Sequence, residues 1–385
     1  MGYDLLISNV HPKLSLFIFG ESEVSKIKVG ILISRLQNLG PVNVVRSIVK
    51  NSSRFNYTIF CLTDDINEKI SQELLERGVK IIMVPGGNQV SKIYFLKKYI
   101  EKNPHDVFHS HGITADVFMF FLNGIKISTI HNRLNEDYVP LFGLFKGNLL
   151  YYAHLLLLKS FTHLVACSEA VATKLYQSKI TKNVSVIQNG VDINKFHPVS
   201  TDKKILLRKK YGFYDVENIY VYCGSLSQRK NVSFLLEHLS LGKNDRFIII
   251  GDGPLFDSCK KSYFIDNRYI FTGKIESPLE YYQLSDFFVS ASLSEGLPLA
   301  LLEAVSAGCF LYVSDIPPHR EVASLLKNNS IEFFSLAGGN NKLKLPLYIS
   351  KTCDISDEIY FNISDEKMAA LYGDLYSSLL TRDLK

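Results

Sequence analysis

Short apolar runs, rich in Ile, Val and Phe, recur along the chain, and each is followed by a turn residue and a helical stretch. Seven of these runs lie at residues 27–33, 57–62, 80–84, 107–109, 127–130, 164–167 and 184–187. Five more lie at residues 220–223, 247–250, 269–271, 287–290 and 310–313. Apolar strands that alternate with helices predict a parallel sheet covered on both faces. Two series of them predict an α/β protein with two doubly wound domains.

The gap between the two series predicts where the first domain ends. Pro198 closes the first series, and the segment after it is polar and basic. Near the C-terminus, Tyr372 and Tyr376 are spaced one helical turn apart, which predicts a terminal helix. We predict a first domain, a linker, a second domain and a C-terminal helix at residues 1–198, 199–216, 217–358 and 359–385.

The composition narrows the class of protein. A length of 385 residues fits two domains at roughly 150 residues each. Apolar residues make up 46% and charged residues 21%, which excludes disorder as the main state. A net charge of +5 is too weak for a dedicated nucleic-acid binder. The six cysteines form no C-x-x-C motif, so we expect a reduced, cytoplasmic protein.

The charge is uneven, and one segment of the basic half is strongly apolar. Residues 1–198 carry 22 Lys and Arg against 15 Asp and Glu, whereas residues 199–385 carry 21 against 23. Residues 138–161 are apolar and aromatic, with Lys146 and Lys159 among them. We expect no secretion signal and no membrane-spanning helix, which needs about 18 uninterrupted apolar residues. Two interpretations of the segment stay open: a buried helix with snorkelling lysines, or a monotopic surface on anionic lipid.

Several chemistries are excluded because their motifs are missing. The chain has no G-x-x-x-x-G-K-[ST] phosphate loop and no complete G-x-G-x-x-G dinucleotide fingerprint. It has no G-x-S-x-G elbow, which excludes the nucleophile of the α/β-hydrolases. No D-x-D occurs, which disfavours a fold that holds a nucleotide sugar through a carboxylate-bound metal.

The strongest motif spans residues 295–303, which read EGLPLALLE. Gly296 allows a tight turn, and Pro298 suits the first turn of a helix. Glu295 therefore precedes a helix, and Glu303 lies about one turn inside it. The free N–H groups at the helix start attract a diphosphate. The two carboxylates could then bind the two polyols that flank the diphosphate in a nucleotide sugar, the ribose and the hexose. An ordinary amphipathic helix with two surface glutamates is the alternative.

Three further glycine turns follow strands in the same half. Gly224 precedes Arg229 and Lys230, and two adjacent cations at a helix start can clamp a diphosphate. Alone, this segment is equally well explained as a solvated basic turn. Gly251 and Gly273 each end a strand, at the edge where open α/β sheets bind ligands. Four such turns in one half of the chain favour a shared site.

Together these motifs resemble glycosyltransferase family four, over nearly the whole chain from about residue 28 to residue 380. The most specific part is the E-x7-E signature from Glu295 to Glu303. In the second half, G-x-L-x-x-x-K at 224–230 and GDGP at 251–254 also match. NGVD at 189–192, near the end of the first half, matches as well. In the first half the match is looser, as expected if that domain varies with the acceptor. There, Gly40 falls where the family has a glycine-rich loop, and His109, His111 and His131 fall at family positions.

The resemblance implies a fold and a reaction. The fold would be GT-B, in which two Rossmann-like domains face a cleft and the C-terminal helix crosses back to the first domain. The reaction would be a glycosyl transfer that retains the anomeric configuration. It would require no metal and no cofactor, because side-chain cations replace the metal and the nucleotide sugar is a substrate.

The family's residue roles pass to the matching positions. Glu303 would bind the ribose hydroxyls of the donor, and Glu295 would face the transferred sugar. Lys230 would neutralise the diphosphate, which the Gly40 loop would approach across the cleft. His131 would lie near the reacting carbon and the acceptor. The remaining donor-binding positions would be Gly224, Arg229, Gly251, Gly296, Leu297 and Leu299.

One departure from the family bears on the diphosphate. The family usually has Arg where this chain has Ser225. We predict that Arg229, four residues further on, supplies the missing cation. If so, Arg229→Ala would weaken donor binding and turnover. Unchanged donor affinity and turnover would refute the hypothesis that Arg229 replaces the family's arginine.

The resemblance therefore predicts transfer of a hexosyl or N-acetylhexosaminyl group from a nucleotide sugar, with UDP preferred to GDP as the carrier. The acceptor would be a glycan or a polyprenyl-diphosphate-linked oligosaccharide in capsule or O-antigen synthesis, at the cytoplasmic face of the membrane. Two alternatives remain open. One is a non-catalytic nucleotide-sugar-binding subunit that serves a partner enzyme. The other is a sugar-nucleotide epimerase of the same fold.

Overall fold

The computed structural model describes residues 26–132, 134, 138, 142–181, 183–213, 218–326, 330–337, 343 and 356–383. Within them the chain forms two parallel sheets. Parts of the predicted first domain, linker, second domain and C-terminal helix lie outside the described residues, including 1–25, 214–216, 344–355 and 384–385.

The first sheet has seven parallel strands in the order β3-β2-β1-β4-β5-β6-β7. The strands are β1 Ile27–Ile33, β2 Phe55–Cys61, β3 Lys80–Met83, β4 Val107–His111, β5 Ile125–Ile130, β6 His163–Ala166 and β7 Val184–Val186. The helices between them are α1 Gly40–Lys50, α2 Glu68–Glu76, α3 Gln89–Lys102, α4 Ile113–Phe120, α5 Leu144–Leu158 and α6 Glu169–Gln177. Strands β1 and β4 to β6 are mostly buried because helices cover both faces of the sheet.

The second sheet has six parallel strands in the order β10-β9-β8-β11-β12-β13. The strands are β8 Ile219–Cys223, β9 Arg246–Ile250, β10 Tyr269–Gly273, β11 Phe287–Ser290, β12 Phe310–Ser314 and β13 Ile331–Phe334. The helices that precede or cover it are α7 Thr201–Lys210, α8 Val232–His238, α9 Phe256–Tyr263, α10 Leu279–Leu284, α11 Leu299–Ser306 and α12 Pro317–Leu326. In both sheets the strand order reverses beside the first strand, which opens a crevice at the carboxyl ends of the strands.

The structure confirms the two α/β domains and each of the twelve predicted strands. The structure adds one strand that was not predicted, β13, a four-residue edge strand that pairs with β12 and is only partly buried. The predicted linker contains helix α7, which begins at a Ser200 cap and packs against α10. Short edge strands and capped polar helices bury little apolar surface, so hydrophobic patterning alone detects them poorly.

The C-terminal segment returns to the first domain, as the resemblance implied. It forms two helices, α13 Asp357–Asn362 and α14 Asp365–Asp383, and α14 packs against α1. Tyr372 and Tyr376 are fully buried in the core of the first domain. The Val191 N–H donates to the Ile363 carbonyl at 2.8 Å, which fixes the crossing point.

We expect Tyr376→Phe to lower the free energy of unfolding by about 1–3 kcal/mol. The Tyr376 hydroxyl lies 2.8 Å from Nδ1 of His109, whose Nε2 lies 2.8 Å from the Thr129 hydroxyl. His109 is fully buried, so its ring nitrogen would lose its partner without gaining water. Urea denaturation of both proteins measures the difference, with Tyr94→Phe, at a tyrosine that is 65% exposed, as the matched control. Equal losses in the two variants would contradict the buried hydrogen bond.

Direct contacts join the two domains along one seam. Both carboxylate oxygens of Glu321, on α12, accept from the first N–H groups of α6, those of Glu169 and Ala170, at 2.9 and 3.1 Å. A carboxylate at a helix N-terminus is stabilised by the helix dipole. The Asn189 side chain donates to the Leu297 carbonyl at 2.8 Å. These contacts hold the turn after β11 against the first domain.

Candidate active site

Glu295 lies at the centre of a buried cluster of charges. Its carboxylate accepts from Lys230 Nζ at 2.5 Å, from the Ser292 hydroxyl at 2.7 Å and from Arg229 Nη1 at 3.3 Å. Arg229 also donates to the Ser294 carbonyl at 2.8 Å. The structure therefore brings together the three charged residues that the sequence analysis assigned to the sugar and the diphosphate.

The two cations keep Glu295 ionised despite its burial. The residue is only 5% exposed, and burial raises the pKa of a carboxyl group. Lys230 and Arg229 outweigh that effect and lower the pKa of Glu295 to about 2. The cluster is thus a permanent ion pair near neutral pH, with one more positive charge than negative. That excess charge suits an anion such as a diphosphate.

Two predicted glycine turns pack directly on each other. Gly251 has a φ of +130°, and a Cβ there would stand 1.9 Å from the Gly224 carbonyl oxygen. The Gly224 N–H donates to the Ile250 carbonyl at 3.0 Å, and the Gly251 N–H donates to the Gly273 carbonyl at 2.9 Å. A side chain at Gly251 would separate these turns. Glycine is therefore required at this edge of the sheet by conformation and by space.

The turn after Glu295 touches the first domain at His131. A Cβ on Gly296 would stand 2.0 Å from the His131 carbonyl oxygen and 2.8 Å from the Cys167 sulfur. The next residue, Leu297, is buried and accepts the hydrogen bond from Asn189. The resemblance assigns Glu295 and His131 to one site, and in the structure the residue after Glu295 lies against the His131 carbonyl group.

The three first-domain histidines have different environments. His109, inside the predicted strand 107–109, and His111 both lie within β4, and both are buried. His131 follows β5, and its Nε2 lies 2.9 Å from Nδ1 of His111. Burial lowers the pKa of His131 to about 4 and, with the neighbouring histidines, holds the pKa of His111 well below its usual value. His111 Nε2 is buried with no hydrogen-bond partner among the described residues.

Glu303 and Leu299 line a cleft of about 870 Å³ between the domains. Helices α1 and α2, with the loop residues just before each, line the cleft on one side. The lining also includes residues 190–192, Lys195, Phe196, residues 274–278 and Asp365. Glu303 accepts from the Tyr282 hydroxyl at 3.3 Å. Burial raises the pKa of Glu303 to about 7, although Lys195 and Tyr282 act in the opposite direction. Glu295, Lys230 and His131 lie outside this lining, so the cleft belongs to the Glu303 side of the site.

The helix start between the two glutamates is placed as predicted. Pro298 is the N-cap of α11, rather than part of its first turn, and Glu303 lies just over one turn inside the helix. One prediction for the first domain is wrong in its local structure. Gly40 is the first residue of α1 and not part of the preceding loop, and the helix that it begins contributes Asn43 and Arg46 to the cleft.

Three contributors to the site were missed by the sequence analysis. Ser292 and Tyr282 carry no signal in the sequence, because a serine in a turn and a tyrosine on a helix are ordinary. Lys195 lies between the matched NGVD motif and Phe196, so a cation beside the signature was visible there. Its place beside Glu303 depends on how the two domains meet.

Metal chemistry has no obvious ligand set in the described part of the chain. No three His, Cys, Asp or Glu side chains converge there in a way that could hold an ion. Side-chain cations lie at both parts of the site. Lys230 and Arg229 lie at Glu295, and the cleft is lined by Arg46, Lys50, Lys69, Lys195 and Lys274.

Two family models match the chain in sequence. Residues 40–195 match the model of Glycosyltransferase Family 4, and residues 203–333 match that of Glycosyl transferases group 1. An Escherichia coli O-antigen biosynthesis glycosyltransferase, WclY, is 25% identical over 92% of this chain and 99% of its own length. An E. coli UDP-Gal:alpha-D-GlcNAc-diphosphoundecaprenol alpha-1,3-galactosyltransferase is 26% identical over 77% of this chain and 81% of its own.

A solved structure has the same fold. The crystal structure of Anabaena HepE in complex with UDP covers 91% of this chain and 100% of its own, with a TM-score of 0.70. The sequence identity of 15% limits this likeness to the fold. It confirms two Rossmann-like domains that face a cleft.

Proposed function

Because this chain belongs to the glycosyltransferases of family four, with the GT-B fold, we propose that it builds a bacterial surface polysaccharide from a UDP-sugar. It transfers a hexosyl or N-acetylhexosaminyl group, with retention, to a lipid-linked glycan acceptor. The observation that carries the proposal is the buried cluster of Glu295, Lys230 and Arg229, which is followed by a turn that contacts His131.

The relatives support the substrate classes. One is named as an O-antigen enzyme and another as a Staphylococcus aureus capsular polysaccharide enzyme. A third is named for a UDP-sugar donor and a diphosphoundecaprenol-linked acceptor. These names favour UDP over GDP and a polyprenyl diphosphate over a free glycan. We place the reaction at the cytoplasmic face of the membrane, where such an acceptor would be presented.

The proposed chemistry uses side-chain cations in place of a metal. Departure of UDP leaves negative charge on the diphosphate and positive charge on the sugar. Lys230, Arg229 and the N–H groups at the start of α11 stabilise the diphosphate. The departing phosphate can take the acceptor proton on the same face, so no separate base is needed. Glu295 faces the sugar.

The environment of His131 fits this charge distribution. Its lowered pKa, about 4, means that the imidazole is neutral near neutral pH. A neutral imidazole can hydrogen-bond to sugar hydroxyls, whereas an imidazolium would repel an oxocarbenium-like transition state. We propose that burial of His131 serves this purpose.

A transfer assay tests the proposal. Purified protein is incubated with UDP-hexoses or UDP-N-acetylhexosamines and a polyprenyl-diphosphate-linked glycan, with EDTA present, and the product is analysed by NMR. The expected product has the anomeric configuration of the donor, and Glu295→Gln gives almost none. An inverted product would refute retention, and a requirement for added Mg²⁺ or Mn²⁺ would refute metal independence. Conversion of the donor alone would identify an epimerase, and binding without turnover a non-catalytic subunit.

We expect the affinity for UDP to rise about tenfold between pH 6 and pH 8, because Glu303 ionises across this range. Ribose hydroxyls donate to a carboxylate, so only the ionised form accepts both bonds. Calorimetric titration of wild type and Glu303→Gln measures the effect, and the variant subtracts the titration of UDP itself. Equal pH dependence in both proteins would contradict the assignment.

The same pKa gives a stability test with the opposite sign. Because the pKa of Glu303 is raised on folding, the protonated side chain stabilises the folded protein. This stabilisation is fully present below pH 4.5 and is lost as the pH rises through about 7. Glu303→Gln should therefore raise the melting temperature at pH 8 more than at pH 5.

A further inference from the structure

Helix α5 is apolar on two opposite faces. Its inner face is buried in the first domain through Gly147, His154, Leu155 and Leu158. Its outer face carries four large exposed side chains at helical spacing, and we call them the α5 stripe: Phe145, Leu149, Tyr152 and Leu156, exposed by 88, 63, 62 and 67%. The helix is thus buried on one face, as the first interpretation of residues 138–161 has it, and for the open face contact with a lipid surface stays a prediction.

The inner face is fixed, so the stripe cannot turn inward. His154 Nε2 lies 3.0 Å from the carboxylate of Asp116, and both side chains are almost fully buried. Asp116 also accepts from the hydroxyls of Ser110 and Ser128 at 2.5 and 2.6 Å. Rotating α5 to hide the stripe would break this buried network. A helix that is apolar all round is normally covered on every side, so the outer face calls for a partner.

The charges beside the stripe select the partner. Lys146 and Lys159 lie near its two ends, and residues 142–168 contain no Asp or Glu. Lys146 also lies over the ring of the exposed Phe142, with its Nζ 5.5 Å from the ring centroid. Exposed aromatic and leucine side chains, bordered by lysines without carboxylates, match the chemistry of an anionic lipid surface.

The stripe is connected to the acceptor side of the site. Helices α4 and α5 pack against each other and follow β4 and β5, whose carboxyl ends lead to His111 and His131. Helix α4 exposes two further apolar side chains, Val117 and Phe120, by 40 and 42%.

We propose that the α5 stripe docks on an anionic bilayer and presents the cleft to a lipid-linked acceptor. Phe145, Leu149, Tyr152 and Leu156 insert at the level of the headgroups, while Lys146 and Lys159 contact lipid phosphates. No helix among the described residues is long and apolar enough to cross a bilayer. The role of the acceptor rests on the proposed function, whereas the docking itself does not.

Vesicle sedimentation tests the docking without donor or acceptor. The full chain is mixed with vesicles of phosphatidylcholine alone or mixed with phosphatidylglycerol. Wild type should bind the mixed vesicles, and Phe145→Ser/Leu149→Ser should weaken binding by about tenfold or more. Lys146→Gln/Lys159→Gln should weaken it by about fivefold per lysine. The matched control is Phe264→Ser/Ile265→Ser, at side chains of the second domain that are 79 and 97% exposed.

The outcomes separate docking from catalysis. The proposal is overturned if wild type does not bind the mixed vesicles, or if the stripe variant and the control variant bind them equally well. If wild type does not bind lipid and is a dimer, while the stripe variant is a monomer, the stripe instead contacts a second copy of this chain. The stripe variant should keep wild-type turnover of a short-chain, water-soluble acceptor and lose it on the same glycan anchored in vesicles. Binding to vesicles without transfer to either acceptor would instead refute the proposed function and leave the docking standing.

Discussion

Lys230→Met is expected to reduce kcat/KM by about a hundred- to a thousandfold and to lower the free energy of unfolding by about 3 kcal/mol. The catalytic loss follows because Lys230 is one of the two cations proposed to stabilise the departing diphosphate. The loss of stability follows because Glu295, only 5% exposed, would keep its charge with Arg229 as its remaining cation. Steady-state kinetics and urea denaturation measure the two effects separately.

A second substitution separates the two roles of Lys230. Lys230→Met/Glu295→Gln removes the buried charge that would otherwise have lost its nearer cation, so it should regain most of the lost stability and none of the activity. Lys210→Met is the control, because Lys210 pairs with Glu280 at 2.6 Å but the two side chains are 57 and 42% exposed. Lys210→Met should lower the free energy of unfolding by less than about 1 kcal/mol. If the double variant were as unstable as Lys230→Met, the buried charge would not explain the loss.

The pH dependence of stability gives an independent view of the same cluster. The pKa of Glu295 is lowered to about 2 in the folded protein, so its stabilising effect is present above pH 4.5 and is lost as the pH falls through 2. Without Lys230 the folded-state pKa should rise, and the variant should lose less stability than wild type on acidification across that window.

Gly296→Ala is expected to destabilise the protein by about 1–3 kcal/mol and to lower kcat/KM by about a hundredfold. The added methyl group would stand 2.0 Å from the His131 carbonyl oxygen and 2.8 Å from the Cys167 sulfur, so the two domains must separate locally. That movement displaces Glu295 relative to His131. A displacement of about 1 Å in a catalytic site is enough for a loss of this size.

Gly87→Ala is the matched control for this prediction. A Cβ at Gly87 meets nothing within 4 Å, and its backbone does not adopt the left-handed conformation. Its melting temperature and kcat/KM should equal those of wild type within error. If Gly296→Ala behaved like this control, the close approach of the two domains at His131 would be refuted.

The fold was predictable because its determinants are local. Each predicted strand is a short apolar run, and a run such as residues 247–250 needs no knowledge of its neighbours to be recognised. The E-x7-E motif likewise carries its own geometry, since Gly296 and Pro298 specify a turn followed by a helix. Glu295 and Glu303 could therefore be placed on either side of the start of α11.

The contacts between domains could not be derived from the sequence in the same way. The approach of Gly296 to His131, the capping of α6 by Glu321 and the contact of Asn189 with Leu297 join residues more than a hundred positions apart. Periodicity reports on neighbours along the chain and carries no information about such pairs. The position of Gly40 at the start of α1 was not predicted either, because the exact start of a helix depends on capping contacts.

Equilibrium binding of UDP and GDP to wild type and to Glu303→Ala tests the central claim most directly. Titration calorimetry of the purified full chain gives the affinities without knowledge of the sugar or the acceptor. We predict that wild type binds UDP more tightly than GDP, and that Glu303→Ala weakens UDP binding by about ten- to a hundredfold through the lost charge-assisted hydrogen bonds. Binding of neither nucleotide by the folded wild type, or equal UDP affinity in both proteins, would contradict the donor site described here.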